Sequence, residues 1–179
     1  NSILLLSRLL AENTQSNLSS DQVEYANVIQ NSGNSLLTLI NEILDLSKIE
    51  AGKMELEFTD FNVRDLANEL HSLFQPIAKD KDISFNIHVQ NNVVQKIETD
   101  RLRLEQIMRN LISNALKFTK HGSVTVDITS NDTTISFAVK DTGIGISKEK
   151  HQTIFEAFQQ ADGSTRRQYG GTGLGLSIS

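Results

Sequence analysis

Asp141-Thr142-Gly143-Ile144-Gly145-Ile146 follows two alternating β-branched segments, so it reads as a turn at the end of a strand. Gly143 and Gly145 release the backbone from the Cβ clash that forbids positive φ, and they let a ligand approach the main chain closely. Asp141 places a carboxylate at the mouth of this turn, able to accept from a ligand's amino group. An ordinary strand-to-loop turn has the same form, so the neighbours decide. Upstream lies Asn110-Leu111-Ile112-Ser113-Asn114-Ala115-Leu116-Lys117-Phe118. Downstream lies Gly170-Gly171-Thr172-Gly173-Leu174-Gly175-Leu176. Packing alone does not call for three such polar or glycine-rich elements in this order.

Around this centre the chain divides in two. Residues 2 to 12 carry Ile3, Leu4, Leu6, Leu9 and Leu10 at helical spacing. The apolar start implies that Asn1 is a cut edge. A polar connection, 13 to 20, leads to a second helix over about 21 to 50, capped by Ser20 or Asp21 and ended at Gly52. Its stripe runs near heptad spacing through Tyr25, Val28, Leu36, Ile43 and Leu46. Such a hairpin buries its apolar face either on the rest of the chain or on a second copy. The four-helix bundle of a dimer is preferred, because the remaining sequence can close its own core.

A boundary after residue 52 separates this hairpin from residues 53 to 179. There the alternation predicts strands over 54–61, 83–89 and 93–98, and a hairpin around Asn131-Asp132. Asn62 caps a helix to about Lys81, and Asp100 caps another to about Phe118 with Leu102, Leu104, Met108 and Ile112 among its apolar positions. Ser147 is expected to cap a short helix holding Ile154, Phe155 and Phe158. Residues 159 to 172 read as a mobile lid, and a last helix begins near Leu174. The fold class is α+β: an antiparallel helical hairpin, then an α/β sandwich whose mixed sheet carries helices on one face.

The helix 100–118 sets Asn110, Asn114 and Lys117 at i, i+4 and i+7, on one face. Asparagine is a poor helix-interior residue, and two of them one turn apart favour a role beyond solvation. Asn114 can offer an amide oxygen to Mg²⁺, a hard cation. Lys117 can neutralise phosphate charge. Gly171, Thr172, Gly173, Leu174, Gly175 and Leu176 open a helix, whose free N–H groups attract anions. With Asp141 at one end and this element at the other, a nucleotide is implied, its adenine amino group toward Asp141. No Gly-Lys-Ser/Thr follows, which excludes a P-loop, and no strand and ribose-binding acid accompany the glycines as in a dinucleotide fold.

Composition sets the outer limits. The chain has 179 residues, 38% hydrophobic and 22% charged, the mix of a soluble globular protein. It contains no apolar run long enough to span a membrane. A net charge of -5 argues against nucleic-acid binding. Zero cysteines exclude disulfides and thiolate zinc sites.

These residues resemble the catalytic core of two-component sensor histidine kinases, of the hybrid type. Asn110-x-x-x-Asn114-Ala115-x-Lys117-Phe118-Thr119 is similar to the N box, and Asp141-x-Gly143-x-Gly145 to the first glycine box. Phe155-x-x-Phe158 resembles the F box, and Gly171-x-Gly173-Leu174-Gly175-Leu176 the second glycine box. Asp45 to Gly52 resembles the end of the second dimerisation helix. The resemblance implies a Bergerat ATP-binding sandwich over 53–179, with dimerisation and phosphotransfer helices over 1–52. It implies ATP and Mg²⁺ as ligands, with adenine recognition by Asp141 and metal ligation by Asn114. Arg167 takes the place of a lid arginine that assists transfer, and Phe118, Ile146 and Leu174 line the adenine pocket. The related ATPases carry a glutamate where this chain has Asn110, and an amide is no general base, so the resemblance favours transfer to a protein acceptor over hydrolysis.

It further implies a homodimer through 1–52, a response-regulator receiver domain as partner, and a cytoplasmic location with room for an inner-membrane anchor in the full-length protein. One departure matters. The family's acceptor histidine lies in a His-Glu-x-x-Thr-Pro-Leu-Asn motif, and His71, His88, His121 and His151 lack that context. The acceptor is expected just upstream of Asn1, which leaves this stretch inactive in autophosphorylation by itself. The rival readings are a conformational ATPase of the same fold and a dimeric scaffold that binds nucleotide as a regulator.

Overall fold

The computed structural model describes residues 2–151, 153–155 and 175–178. Contacts divide the chain into two compact units, Asn1–Lys53 and Met54–Ser179.

The first unit is a helical hairpin of α1 (Ser2–Glu12) and α2 (Ser20–Glu50). Asn13 turns the chain with φ 41°, and its side chain bonds both polar groups of Leu18 (Nδ2 to the carbonyl at 3.2 Å, Oδ1 from the N–H at 3.1 Å). The cap of α2 is Ser19, one residue before the expected Ser20 or Asp21. Ser19 Oγ accepts from the Gln22 N–H while Gln22 Oε1 accepts from the Ser19 N–H, a reciprocal capping box. Of the Gln and Glu residues at this turn only Gln22 stands three residues after a hydroxyl, and that spacing selects Ser19. The two helices approach closely: a Cβ on Gly33 would lie 2.5 Å from Leu4 Cδ2. Ser7 and Ala26 are buried, whereas Ile3, Leu6, Leu10, Val28, Leu36 and Leu44 stay exposed. No helix among the described residues is long and apolar enough to cross a membrane.

The second unit contains β1 (Thr59–Asn62), α3 (Val63–Asp80), β2 (Ile83–Val89), β3 (Lys96–Thr99), α4 (Arg101–Phe118), β4 (Gly122–Ser130) and β5 (Ile135–Asp141). Two 3₁₀ turns follow, Lys148–Lys150 and Thr153–Phe155, and a short α5 (Gly175–Ile178). The expected single mixed sheet is two sheets. β2–β4–β5 is mixed, parallel between β2 and β4 and antiparallel between β4 and β5, while β1 and β3 pair separately. Val63, Leu66, Leu70 and Phe74 of α3, Met108 and Ile112 of α4, and Val124, Val126 and Ile128 of β4 form one core. Asn131 makes the β4–β5 turn, its Oδ1 accepting from the N–H groups of Thr133 and Thr134 at 3.0 and 2.8 Å.

Two expected strands are shorter than the alternation implies, and one apolar position of α4 is left uncovered. Residues 54–58 alternate like a strand but have none alongside, because β3 pairs only with 59–62. Leu56 and Phe58 are accordingly 52% and 60% exposed. Val93 is buried but belongs to a turn, its N–H bonded to the Gln90 carbonyl, and β3 starts only at Lys96. Leu102 lies in the first turn of α4 with nothing packed over it, 68% exposed. Ser147 precedes its 3₁₀ turn without a side-chain cap bond. Phe158 and the lid 159–172 lie outside the described residues.

Asp100 joins these parts. Its Oδ1 accepts from the Arg103 N–H at 3.0 Å and its Oδ2 from the Glu57 N–H at 3.1 Å. Those backbone donors, Arg103 first, hold its carboxyl below the ordinary range. A carboxyl lowered in the folded state stabilises above its unfolded pKa, and that stabilisation is lost as pH falls through the lowered value. Asp100→Ala should therefore cost about 1–3 kcal/mol in urea unfolding at neutral pH, and the gap from the parent should narrow as pH is taken below about 4. A gap that widens in acid would contradict the assignment.

Candidate functional site

The site is built on the last two turns of α4. The helix forms because Asp100 caps it and Met108, Ile112, Ala115 and Leu116 bury one face. That face fixes the rotation of the other. Asn110, Asn114 and Lys117 come together on the other face, all half-buried. No hydrogen bond from the Asn114 side chain occurs among the described residues. Burial pushes the Lys117 ammonium below the ordinary lysine range, and its Nζ lies 5.1 Å from the Phe118 ring centroid.

The glycine turn is attached to the C-terminus of this helix. The Ile144 N–H donates to the Phe118 carbonyl at 3.4 Å, and the Gly143 N–H donates to Asp141 Oδ1 at 2.8 Å. A Cβ on Gly143 would lie 2.5 Å from the Phe118 carbonyl oxygen, so no other residue fits there undisturbed. Gly145 adopts φ 68°, the left-handed region that glycine tolerates. Asp141 is exposed with Oδ2 left to accept, and Ile144 and Ile146 present apolar surface beside it at 67% and 50% exposure. His151 Nε2 lies 3.1 Å from the Ile146 carbonyl and ties down the far side of the turn.

The third element meets α4 two turns before its C-terminal end. Asn110 Nδ2 donates to the Gly175 carbonyl at 3.2 Å, which sets α5 against the asparagine face. Gly175 and Leu176 are thus placed. Gly171, Thr172, Gly173, Leu174 and Arg167 lie outside the described residues. Thr119, which the sequence showed only as the last residue of the N box, is buried, and its Oγ1 has no partner among the described residues.

These groups fit a nucleotide carrying a divalent cation. Among the described residues no three His, Cys, Asp or Glu side chains cluster to hold a metal. A lone amide oxygen from Asn114 is a sparse ligand set, suited to an ion whose other oxygens come from phosphates and water. Exposed isoleucines beside a free carboxylate oxygen suit a flat base with an amino group. A depression of about 250 Å³ lined by Phe74, Ile77, Lys81, Ser113, Leu116 and Lys117 lies on a neighbouring flank of α4 and includes neither Asn114 nor Asp141. It is not the site described here, because it lacks the carboxylate and the amides.

Comparison with known proteins bears directly on this arrangement. Residues 99–179 match the family described as histidine kinase-, DNA gyrase B- and HSP90-like ATPase, and residues 1–52 match the His Kinase A (phospho-acceptor) domain. The autoinducer 2 sensor kinase/phosphatase LuxQ of Vibrio vulnificus is 43% identical over 99% of this chain and 21% of its own length. The chain spans about a fifth of the length of the curated relatives it matches. Among solved structures, full-length ShkA in complex with AMPPNP is 34% identical over 98% of this chain and 36% of that one, with a TM-score of 0.79. The catalytic domain of the histidine kinase ThkA is 32% identical over 68% of this chain and 76% of that one, with a TM-score of 0.59. ThkA in complex with the response regulator TrrA is 26% identical over 88% of this chain and 47% of that one, at 0.60. With a helical hairpin matching the phospho-acceptor domain and an ATPase-type α/β unit behind it, the chain belongs to the sensor histidine kinases of two-component systems.

Proposed function

We propose that the chain is the core of an ATP-dependent protein-histidine kinase. Residues 1–52 serve as dimerisation and phosphotransfer helices, and residues 53–179 as the ATP-binding catalytic domain. The observation that carries the reading is the convergence on α4: Asn110 holds α5, the Phe118 carbonyl holds the glycine turn, and Asn114 stands between them with its side chain uncommitted. Asp141 takes the adenine amino group, and Phe118 and Ile146 flank the base. Lys117 meets the phosphates, with Gly143 and Gly145 keeping the turn's backbone close. Gly171, Thr172, Gly173, Leu174, Gly175 and Leu176 form the phosphate end, and Arg167 assists transfer from the lid. Asn114 would hold Mg²⁺ through its amide oxygen, and the ion would supply positive charge to offset that of the phosphates. The AMPPNP bound to ShkA supports the nucleotide.

Transfer rather than hydrolysis follows from Asn110. Its amide is engaged with the Gly175 carbonyl and has no basicity with which to activate water. The acceptor is a histidine outside this chain's own four. All four lie in the second unit: His71 stacks on Phe85, His88 sits in β2, His151 binds the Ile146 carbonyl, and His121 flanks the turn into β4. We place it just upstream of Asn1 on the dimerisation helices, so residues 1–179 alone do not autophosphorylate. The exposed leucine and isoleucine stripe of α1 and α2 supports homodimerisation, which would cover it. The phosphoryl group then passes to an aspartate of a receiver domain, a partner of the kind bound by ThkA. The chemistry is cytoplasmic.

Two experiments test this. Asn114→Ala should weaken Mg²⁺-dependent ATP binding by at least about tenfold, the loss of one contact to a charged group. Unchanged affinity in calorimetry would remove the metal assignment. In a chain extended upstream to include the acceptor, ATP should yield acid-labile, alkali-stable phosphate on protein. Steady release of inorganic phosphate with no phosphoprotein would move the reading to an ATPase.

A further inference from the structure

The chain leaves the sheet directly after Asp141, and Thr142 governs how it leaves. Asp141 still pairs with Val124 across β5 and β4. The next pair, Thr142 with Ser123, is only half regular. The Thr142 N–H donates to the Ser123 carbonyl at 3.1 Å. The reverse bond goes to the side chain, with the Ser123 N–H donating to Thr142 Oγ1 at 3.0 Å. In an ordinary antiparallel pair the two residues exchange both backbone bonds. Here the hydroxyl takes the place of the Thr142 carbonyl, so the register holds while the main chain turns toward the Phe118 carbonyl, which receives the Ile144 N–H. The hydroxyl lies 3.4 Å from both the His121 and the Ser123 carbonyls, within reach to donate. Both roles of Oγ1, acceptor and donor, are thus used within the fold.

Gly122, the first residue of β4, makes room for this hydroxyl. Its φ is 114°, a region that side chains disfavour. A Cβ there would overlap Thr142 Oγ1 and lie 3.3 Å from Thr142 Cβ. Any other residue at 122 therefore pushes against the group that ends the β4–β5 ladder. Gly122 and Ser123 stand outside the motifs read from the sequence.

We propose that Gly122 and the Thr142 hydroxyl are positioning residues for base recognition: the missing Cβ of one seats the hydroxyl of the other, and the pair fixes where the Asp141 carboxylate stands. Asp141 Oδ1 is turned back onto the Gly143 N–H at 2.8 Å, so the direction of Oδ2 follows the backbone path of residues 141 to 143. The inference rests on the nucleotide reading above and adds two residues that act through Asp141 rather than on the ligand.

The readouts are ADP affinity without Mg²⁺, by calorimetry, and the melting temperature without nucleotide, with Asp141→Asn as control. Thr142→Ala should weaken ADP about three- to tenfold, the worth of one hydrogen bond. Thr142→Ser keeps the hydroxyl and should stay within about twofold of the parent. Gly122→Ala should match Thr142→Ala in affinity. The double variant, Gly122→Ala with Thr142→Ala, should bind within about twofold of Thr142→Ala alone, because the contact is already gone. The melting temperature should nevertheless fall in both variants with alanine at 122, since φ 114° strains a residue that has a Cβ. Affinity losses that multiply in the double variant overturn the pairing of the two residues. Parent-like affinity in Thr142→Ala beside weakened binding in Asp141→Asn overturns the positioning role, and so does a Thr142→Ser as weak as Thr142→Ala. Should Gly122→Ala not fold, the comparison of Thr142→Ala with Thr142→Ser decides the outcome. If neither Asp141→Asn nor Thr142→Ala changes ADP binding, the adenine reading falls and the proposal with it.

Discussion

One carbonyl oxygen, that of Phe118, carries the geometry of the site. It accepts the Ile144 N–H at the end of α4 and limits the residue at 143 to glycine. The carboxylate of Asp141 is thereby held at a set place relative to Asn114, one turn back along the same helix. The amides and the carboxylate come from segments about thirty residues apart in sequence, yet a single helix end positions both. The helix in turn is positioned by its buried face, so Met108 and Ile112 decide where Asn110 and Asn114 point. Core packing is how this chain aims its polar groups.

The two units meet the burial problem differently. The second closes a core from two helices and a three-stranded sheet, with Leu66, Ile112, Val124 and Ile128 fully buried. Among its described residues the first has only Ser7 and Ala26 buried, although its apolar residues are many. Burial of one leucine or isoleucine side chain is worth about 1.5–3 kcal/mol, so the uncovered stripe on α1 and α2 is a substantial unrealised term. A second copy of the hairpin can realise it.

Most of the fold was legible because its elements satisfy local rules. Asn62 and Asp100 cap α3 and α4 as their position before apolar runs implies, and Asn131 turns β4 into β5. The failures concern partners, which periodicity cannot report. Met54 to Phe58 alternate, but a strand exists only where another lies beside it, and the Glu57 N–H went to Asp100 instead. Leu102 fits the helical spacing but sits in the first turn, where no element covers it. The placing of Asn110, Asn114 and Lys117 on one face of α4, and of Asp141 at the end of β5, was readable from residue type and spacing. The burial of the Thr119 hydroxyl, without a partner among the described residues, was not, because only packing reveals it.

The chemistry of the site also narrows what it can do. Its described polar groups are two amides, an ammonium, a carboxylate beside two exposed isoleucines, and one buried hydroxyl. None of these is placed as a base next to the asparagine face, and the amide at 110 is spent on holding α5. Such a set of described groups can bind, orient and neutralise charge. In the proposed reading the attacking nucleophile is a histidine of the phospho-acceptor domain. A site that depends on a partner group for its attack is protected from wasting ATP on water, because the reaction waits for the partner's approach. In this chain the asparagine at 110 is a structural clasp that donates to the Gly175 carbonyl, and in the proposed kinase reading the same amide, lacking basicity, leaves the phosphoryl group to a histidine acceptor.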